Sequence, residues 1–421
     1  MNAATLENPY DTAENVIVRA SAQRLLSAAA GDLRSHQALL GPLPWAGSAD
    51  RLIRLLEDCG LTGRGGAGFP SSRKLAAVAA GKRAVVVANG AEGEPLSSKD
   101  RTLLTRAPHL VLDGLQLVAD ATGAAEAYAY VPEDLCASIT SALVERHGLD
   151  RIHVTVVAAP EAFISGEETA AASRLSGGAA VPRDKSRMVV TAGVRGRPTL
   201  VHNVETLAHL ALAARRGPGW FRAAGTADEP GTFLSTVSGA VANPGVYEFE
   251  YGVALEDLLA AAGGPSAPLQ AVLIGGYHGA WVPLVGTSAA SSAPVSRAGL
   301  RPYNASPGAG VIAALPSATC GLVQTSRIVT YLAEQSAGQC GPCLNGLPRL
   351  AEVFDLLVGA PGRPAPAAAI EEVRRIAGLV EGRGACHHPD GTVRLVRSAL
   401  HTFSQDVLAH RAGSCIAKAG R

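Results

Sequence analysis

At 421 residues the chain is long enough for two or three domains that each bury a core, and its 37 basic against 36 acidic side chains leave no surplus charge for nucleic acid. No apolar run approaches the length of a membrane span, and Glu7, Asp11 and Glu14 stand where a signal peptide needs a basic start and an apolar stretch, so a cytoplasmic protein is expected. Seven cysteines are too few for a secreted disulfide scaffold and read as core thiols, a redox pair or metal ligands.

Residues 1–49 read as an N-terminal extension. Next, Leu52, Leu55, Leu56 and Cys59 recur at i, i+3, i+4 and i+7, the stripe of an amphipathic helix. "GLTGRGGAGFP" (60–70) follows, with Gly63, Gly65 and Gly68 in the G-x-G-x-x-G spacing of a dinucleotide-binding turn. That fingerprint needs a strand before the glycines, however, and here helical sequence lies on both sides, with Pro70 opening a second helix through Lys74, Leu75 and Val78. "AVVVANG" (84–90), "EAYAYV" (126–131) and "IHVTVVAA" (152–159) then read as strands, with helices over 109–123 and 132–148 between them. This βαβαβ order calls for a parallel sheet covered by helices. Its ligand crevice is expected beyond the carboxyl ends of the strands, where "NGAEGEP" (89–95) and "PEAFISGEET" (160–169) place acidic, glycine-containing loops.

From Gly231 the pattern shifts to a hairpin around Asn243-Pro244-Gly245, a short helix at "LEDLLAAAGG" and strands at "AVLIGG" and "AWVPLV", a small α+β unit over 231–286. The Ser/Ala-rich stretch that follows opens a linker (287–321), and the rest, 322–421, carries helical periodicity over 322–337, 347–359, 368–381 and 391–410. In this region Cys340 and Cys343 form a C-x-x-C pair, and Cys386 is followed by His387 and His388. Gathered by a helical bundle, three thiolates suit an iron-sulfur cluster or, with a histidine, zinc. Cys59, Cys136, Cys320 and Cys415 read as isolated core thiols.

Taken together, "GLTGRGGAGFPSSRK", "NGAEGEP", "AFISGEETA", "GRPTLVHNVETLA", "TVSGAVANPGVYE" and "GQCGPCLNG" occur in one order over residues 50–410, and the chain resembles the NADH-binding flavoprotein subunit of respiratory complex I and the related diaphorase subunits of NAD-linked hydrogenases and formate dehydrogenases. The resemblance implies a Rossmann-like α/β flavin domain (50–230), an α+β β-grasp domain for soluble ligands (231–286) and a C-terminal helical-bundle iron-sulfur domain (322–421). It implies FMN against Gly63, Arg64, Gly65, Gly66, Lys74, Asn89, Glu92, Gly166, Glu167, Glu168, His202, Asn203 and Thr206. NADH would meet Phe69, Glu94 and Lys185, with Glu94 and Glu168 orienting the nucleotide, and a 4Fe-4S or 3Fe-4S cluster would be held by Cys340, Cys343, Cys386 and His387. The implied activity is NADH:acceptor oxidoreduction, with a hydride taken onto FMN and single electrons passed to a ferredoxin-like or membrane-bound acceptor protein. A non-catalytic or zinc-containing assembly subunit is the alternative.

The chain departs from the family pattern at four points. Ala91 replaces an aspartate beside the flavin, Ala76 and Met188 stand where phenylalanines sandwich the adenine, and Ala337 replaces the first cysteine of C-x-x-C-x-x-C. Besides His387, candidates for the missing cluster ligand are His388, Ser336, hydroxide and Cys320.

Overall fold

The structure is a computed structural model and describes residues 18–20, 24–45, 47–184, 186–284, 289–359 and 362–419. In chain order its strands are β1 (Val18–Ala20), β2 (Val85–Asn89), β3 (Glu126–Pro132), β4 (Val154–Ala159), β5 (Thr199–Asn203), β6 (Thr232–Gly239), β7 (Gly245–Glu250), β8 (Leu269–Ile274), β9 (Ala280–Pro283) and β10 (Val311–Pro316). They form two sheets, of order β4-β3-β2-β5 and β1-β7-β6-β10-β8-β9.

The first sheet is parallel throughout. Successive side chains of β2 point to opposite faces, so Val86 and Ala88 join the large core under the helices Pro108–Thr122 and Val204–Arg222, while Val85 and Val87 join a smaller cluster with Tyr128 and Tyr130. The two helices cross closely because position 114 is glycine: a Cβ there would lie 2.1 Å from the Leu207 carbonyl oxygen. Helices Ala49–Cys59 and Ser71–Ala79 flank the glycine loop, so no strand enters it. The strand β5 completes the sheet. It has no separate strand signal in the sequence, because its five residues run straight into a helix.

In the second sheet Val311, Ala313 and Leu315 of β10 face the C-terminal helices, and Ile312 and Ala314 face the layer that contains the Leu255–Ala261 helix. This strand falls in the stretch that reads as a linker, yet it lies between β6 and β8. Burial on both faces makes it a continuous apolar run, as in β2, but the Ser/Ala-rich sequence before it draws it into the linker. The N-terminal segment that reads as an extension is also engaged. β1 pairs with β7, and the buried Glu248 carboxylate accepts the backbone N–H groups of Arg24, Leu25 and Leu26 at 3.1, 2.9 and 3.0 Å.

The C-terminal helices are Gly321–Glu334, Leu347–Val358, Ala369–Val380, His388–Thr402 and Ser404–Arg411. The periodicity over 391–410 suggests one helix where the structure has the last two, and the chain breaks between them at Phe403. Among the described residues no helix is long and apolar enough to cross a membrane.

Candidate functional site

Two groups of residues carry chemistry. The first collects at the carboxyl ends of β2 and β5, where pairing sets Asn89 opposite Asn203 and Ala88 opposite His202. The glycine loop lies over these ends: a Cβ on Gly65 would come 3.3 Å from Asn203 Cβ, and Arg64 donates its backbone N–H to Thr206 Oγ1 at 2.9 Å. Gly66 has φ +102°, a conformation that selects glycine by itself. The two acidic loops touch here as well, since Asn89 Nδ2 donates to the Gly166 carbonyl at 2.8 Å and a Cβ on Gly93 would sit 2.4 Å from the Phe163 carbonyl oxygen.

Charge is arranged unevenly around this spot. Lys74 Nζ pairs with Glu168 Oε2 at 2.7 Å. Glu167 caps its own helix by accepting Thr169 and Ala170 N–H at 2.7 and 3.1 Å, and Glu92 does the same for the Lys99–Arg106 helix through Asp100 and Arg101 N–H at 3.1 and 3.0 Å. The mutual repulsion expected of these carboxylates is thus relieved by helix starts and by one lysine. Glu94 accepts Tyr277 N–H at 2.8 Å, and burial pushes its carboxyl up to about 8, so near neutrality it is largely protonated. The Arg64 guanidinium turns away from the strand ends, donating to Thr62 Oγ1 and the Pro230 carbonyl and lying 4.6 Å above the Tyr251 ring.

His202 is the residue that asks for a ligand. It is buried, its Nε2 has no hydrogen-bond partner, and burial, with the Lys74 charge, pushes its imidazole down to about 3. An unpartnered buried ring nitrogen near Lys74, one residue before the Asn203 that the glycine loop covers, fits an anionic, hydrogen-bonding group such as FMN. Beneath the loop, Lys99 is fully enclosed between Asp100 and Glu205 at 2.6 and 2.9 Å, and Asn203 Nδ2 donates to Asp100 at 2.6 Å. This buried charge network is not legible in the sequence, where nothing marks Lys99, Asp100 and Glu205 as enclosed together.

At the rim, Phe69 is 36% and Met188 59% exposed, and Ala76 is exposed on the Ser71–Ala79 helix. Lys185 lies outside the described residues.

The second group gathers Cys340, Cys343 and Cys386. Cys343 is buried on a π-turn, Pro342–Gly346, that opens the Leu347–Val358 helix. Burial opposes ionisation of Cys340, but the Ala385 and Cys343 N–H groups and the Cys343 thiol outweigh it and hold the Cys340 thiol below the ordinary value. Burial and the neighbouring Cys340 push Cys343 up to about 11, and Cys386, itself buried, acts on it as well. Three convergent thiols whose charges oppose one another suit a cationic centre.

His387 does not join them. Its side chain is 81% exposed and its Nδ1 lies 3.6 Å from Asp390, because it sits before the first turn of its helix with the ring toward solvent. In this structure the ring therefore does not stand with the three thiols. His388 is buried, but both nitrogens are taken, Nε2 by the Leu332 carbonyl at 2.7 Å and Nδ1 by His278 Nε2 at 3.0 Å. Cys320 stands at the opposite end of the 14-residue Gly321–Glu334 helix, about 20 Å of helix away.

Between the two groups lies a set of rings that the sequence does not announce. The Phe163 ring is 4.6 Å from His278, 5.6 Å from His388 and 6.2 Å from Tyr331, and Phe163 N–H donates to Gln335 Oε1 at 3.0 Å. The loop that carries Gly166 and Glu168 therefore packs directly against the segment that carries the cysteines.

Comparison with known proteins decides the family. Residues 56–212 match the Nuo51 FMN-binding domain, 235–275 the SLBB domain and 323–410 the NADH-ubiquinone oxidoreductase-F iron-sulfur binding region. The second F-type subunit of the NADH-quinone oxidoreductase of Rhizobium meliloti is 31% identical over 401 residues, covering 91% of this chain and 93% of the relative. The chain belongs to the family of F-type subunits of NADH-quinone oxidoreductases. The F-type subunit of Mycobacterium tuberculosis is 30% identical over 91% of this chain and 89% of its own length. A chain of the NAD+-reducing [NiFe]-hydrogenase in its air-oxidized state superposes with a TM-score of 0.85 at 30% identity, covering 95% of this chain and 68% of that one. This member of the F-type family is an oxidoreductase subunit: an FMN-binding NADH dehydrogenase with a 4Fe-4S binding region that passes electrons to partner subunits.

Proposed function

We propose that FMN lies across the ends of β2 and β5, under the 63–66 loop, and that the unpartnered Nε2 of His202 in that cradle is the observation that best supports it. Bound there, FMN supplies the exchange between a two-electron hydride and single electrons. In this reading the backbone at Gly63, Arg64, Gly65 and Gly66, with Asn89, Asn203 and Thr206, offers the close polar surface, and Lys74 supplies the cation that favours a more negative, reduced flavin. Glu168 shares Lys74 with the ligand, whereas Glu92, Gly166 and Glu167 act by holding the loops and helix starts in place. Phe69 offers a stacking face for the adenine of NADH, and Lys185 a cation for it. Protonated Glu94 can donate a hydrogen bond that a carboxylate cannot.

For the cluster, Cys340, Cys343 and Cys386 serve as ligands, and one corner lacks a protein thiolate because position 337 is alanine. The chain then divides into the Rossmann-like flavin domain, the β-grasp domain and the helical cluster domain, with the acceptor a ferredoxin-like or membrane-bound subunit and the chain on the cytoplasmic side.

Protein purified without oxygen should carry one FMN and three to four irons per chain. Lys74→Met should lower flavin content at least ten-fold while iron stays constant. Full flavin retention in that variant would remove the assignment of this cradle.

A further inference from the structure

A third group of ligands lies away from both sites. Cys320, His410 and Cys415 bring one donor atom each within 4.8 Å of one another. In the sequence the two cysteines are 95 positions apart and unremarkable, and the fold unites them. Cys320 is the residue before the Gly321–Glu334 helix, His410 closes the Ser404–Arg411 helix, and Gly413, at φ +75°, turns the chain so that Cys415 returns toward Cys320.

The histidine is presented in ligand form. Its Nδ1 lies 2.6 Å from the Val358 carbonyl, which can only accept, so Nδ1 carries the hydrogen and Nε2 keeps its lone pair. That Nε2 is 3.4 Å from Cys320 Sγ, close to the ~3.5 Å that bond lengths of about 2.3 Å to sulfur and about 2.0 Å to nitrogen give across a tetrahedral ion. Burial pushes the Cys320 thiol up, the Val323 and Leu322 N–H groups and a hydrogen bond with Cys415 offset this only in part, and a cation beside the sulfur would supply the missing compensation. Cys320 and His410 are 8% and 7% exposed. Asp406, buried one turn before His410 on the same helix, acts electrostatically on both.

We propose that Cys320, His410 and Cys415 bind one zinc ion, with Asp406 or a water in the fourth position. Two thiolates and an imidazole select a borderline-soft, tetrahedral cation over magnesium, calcium or manganese. The ion clasps the C-terminal turn onto the first helix of the cluster-bearing bundle, and binding releases the two thiol protons.

The test is metal analysis of the full chain purified anaerobically, with zinc and iron counted together, and zinc-edge X-ray absorption on the wild type. One zinc per chain is expected, with two sulfur neighbours at about 2.3 Å and nitrogen or oxygen at about 2.0 Å. Cys320→Ser, His410→Ala and Cys415→Ser should each lower zinc at least ten-fold and leave iron unchanged, whereas Cys340→Ser should do the reverse. If these variants fail to fold, the wild-type spectrum decides. A wild type with less than a tenth of a zinc, a zinc shell of any composition other than two sulfurs, zinc lost with Cys340→Ser, or a Cys320–Cys415 disulfide in the anaerobic protein would overturn the assignment.

Discussion

Buried histidines weaken the fold as the pH falls. Burial lowers His202 to about 3 and His209 to about 4, from an ordinary value of 6.5. Between pH 6.5 and those values the unfolded chain binds protons that the folded chain refuses, so stability falls as pH falls through that window, by on the order of 1.4 kcal/mol per pH unit for each ring. The Glu94 carboxyl, pushed up to about 8 by burial, works in the opposite sense over the same range, so the histidine contribution is read as a difference. Between pH 7.5 and 5 the urea midpoint of His209→Gln should move less toward instability than that of the wild type, and an equal change in the variant would show that His209 does not contribute. At the rim, adding rings at Ala76→Phe and Met188→Phe should tighten NADH several-fold, since an aromatic pair is worth about 1 kcal/mol beyond burial. Half-saturation of flavin bleaching measures it, and an unchanged value would place the adenine elsewhere. Single residues are the least legible level in the sequence. The resemblance implies that Glu92 and Glu167 line the flavin, and only the fold reveals that each carboxylate also accepts backbone N–H groups at a helix start, from Asp100 and Arg101 and from Thr169 and Ala170.

At the level of elements, the helix Lys99–Arg106 begins on a buried cation held by Asp100 and Glu205. Removing the cation leaves two carboxylates without compensation in the interior. Lys99→Met should therefore cost about 3–5 kcal/mol, read as a loss of urea midpoint, even though the chain gains an apolar side chain. A variant as stable as wild type would mean the carboxylates are neutral in the fold. The cysteine segment gives the matching test for the cluster. Ala337→Cys restores a thiol three positions before Cys340 and should raise iron content toward four per chain and slow loss of the visible band in air. Unchanged iron and air stability would show that position 337 does not face the cluster. The helices flanking the glycine loop, those over 109–123 and 132–148 and the first three parallel strands are legible because apolar stripes and apolar runs alternate along the chain, whereas the helices Lys99–Arg106, Glu168–Leu175 and Val204–Arg222 go unread in the sequence. The β10 strand is not legible, because it lies inside the stretch that the Ser/Ala-rich sequence before it marks as a linker, and β5 is hidden by its fusion to the helix Val204–Arg222.

Across the whole molecule, the glycine loop covers the carboxyl ends of β2 and β5, the second sheet backs the C-terminal helices, and the Phe163 loop reaches from those strand ends to the cysteine segment. The ordered motifs from "GLTGRGGAGFP" to "GQCGPCLNG" carry the family in the sequence, whereas the convergence of Cys320, His410 and Cys415 depends on a chain reversal at Gly413 that no spacing announces. Function requires NADH to deliver reducing equivalents to FMN in this chain and the electrons to leave through the cluster. Anaerobic addition of NADH to the purified protein, followed by visible absorption and then by low-temperature EPR, examines both steps in one sample. Bleaching of the flavin band together with the growth of an iron-sulfur signal that Cys340→Ser abolishes is the predicted result. Flavin that stays oxidised under excess NADH, or a reduced-cluster signal that survives in Cys340→Ser, would contradict it.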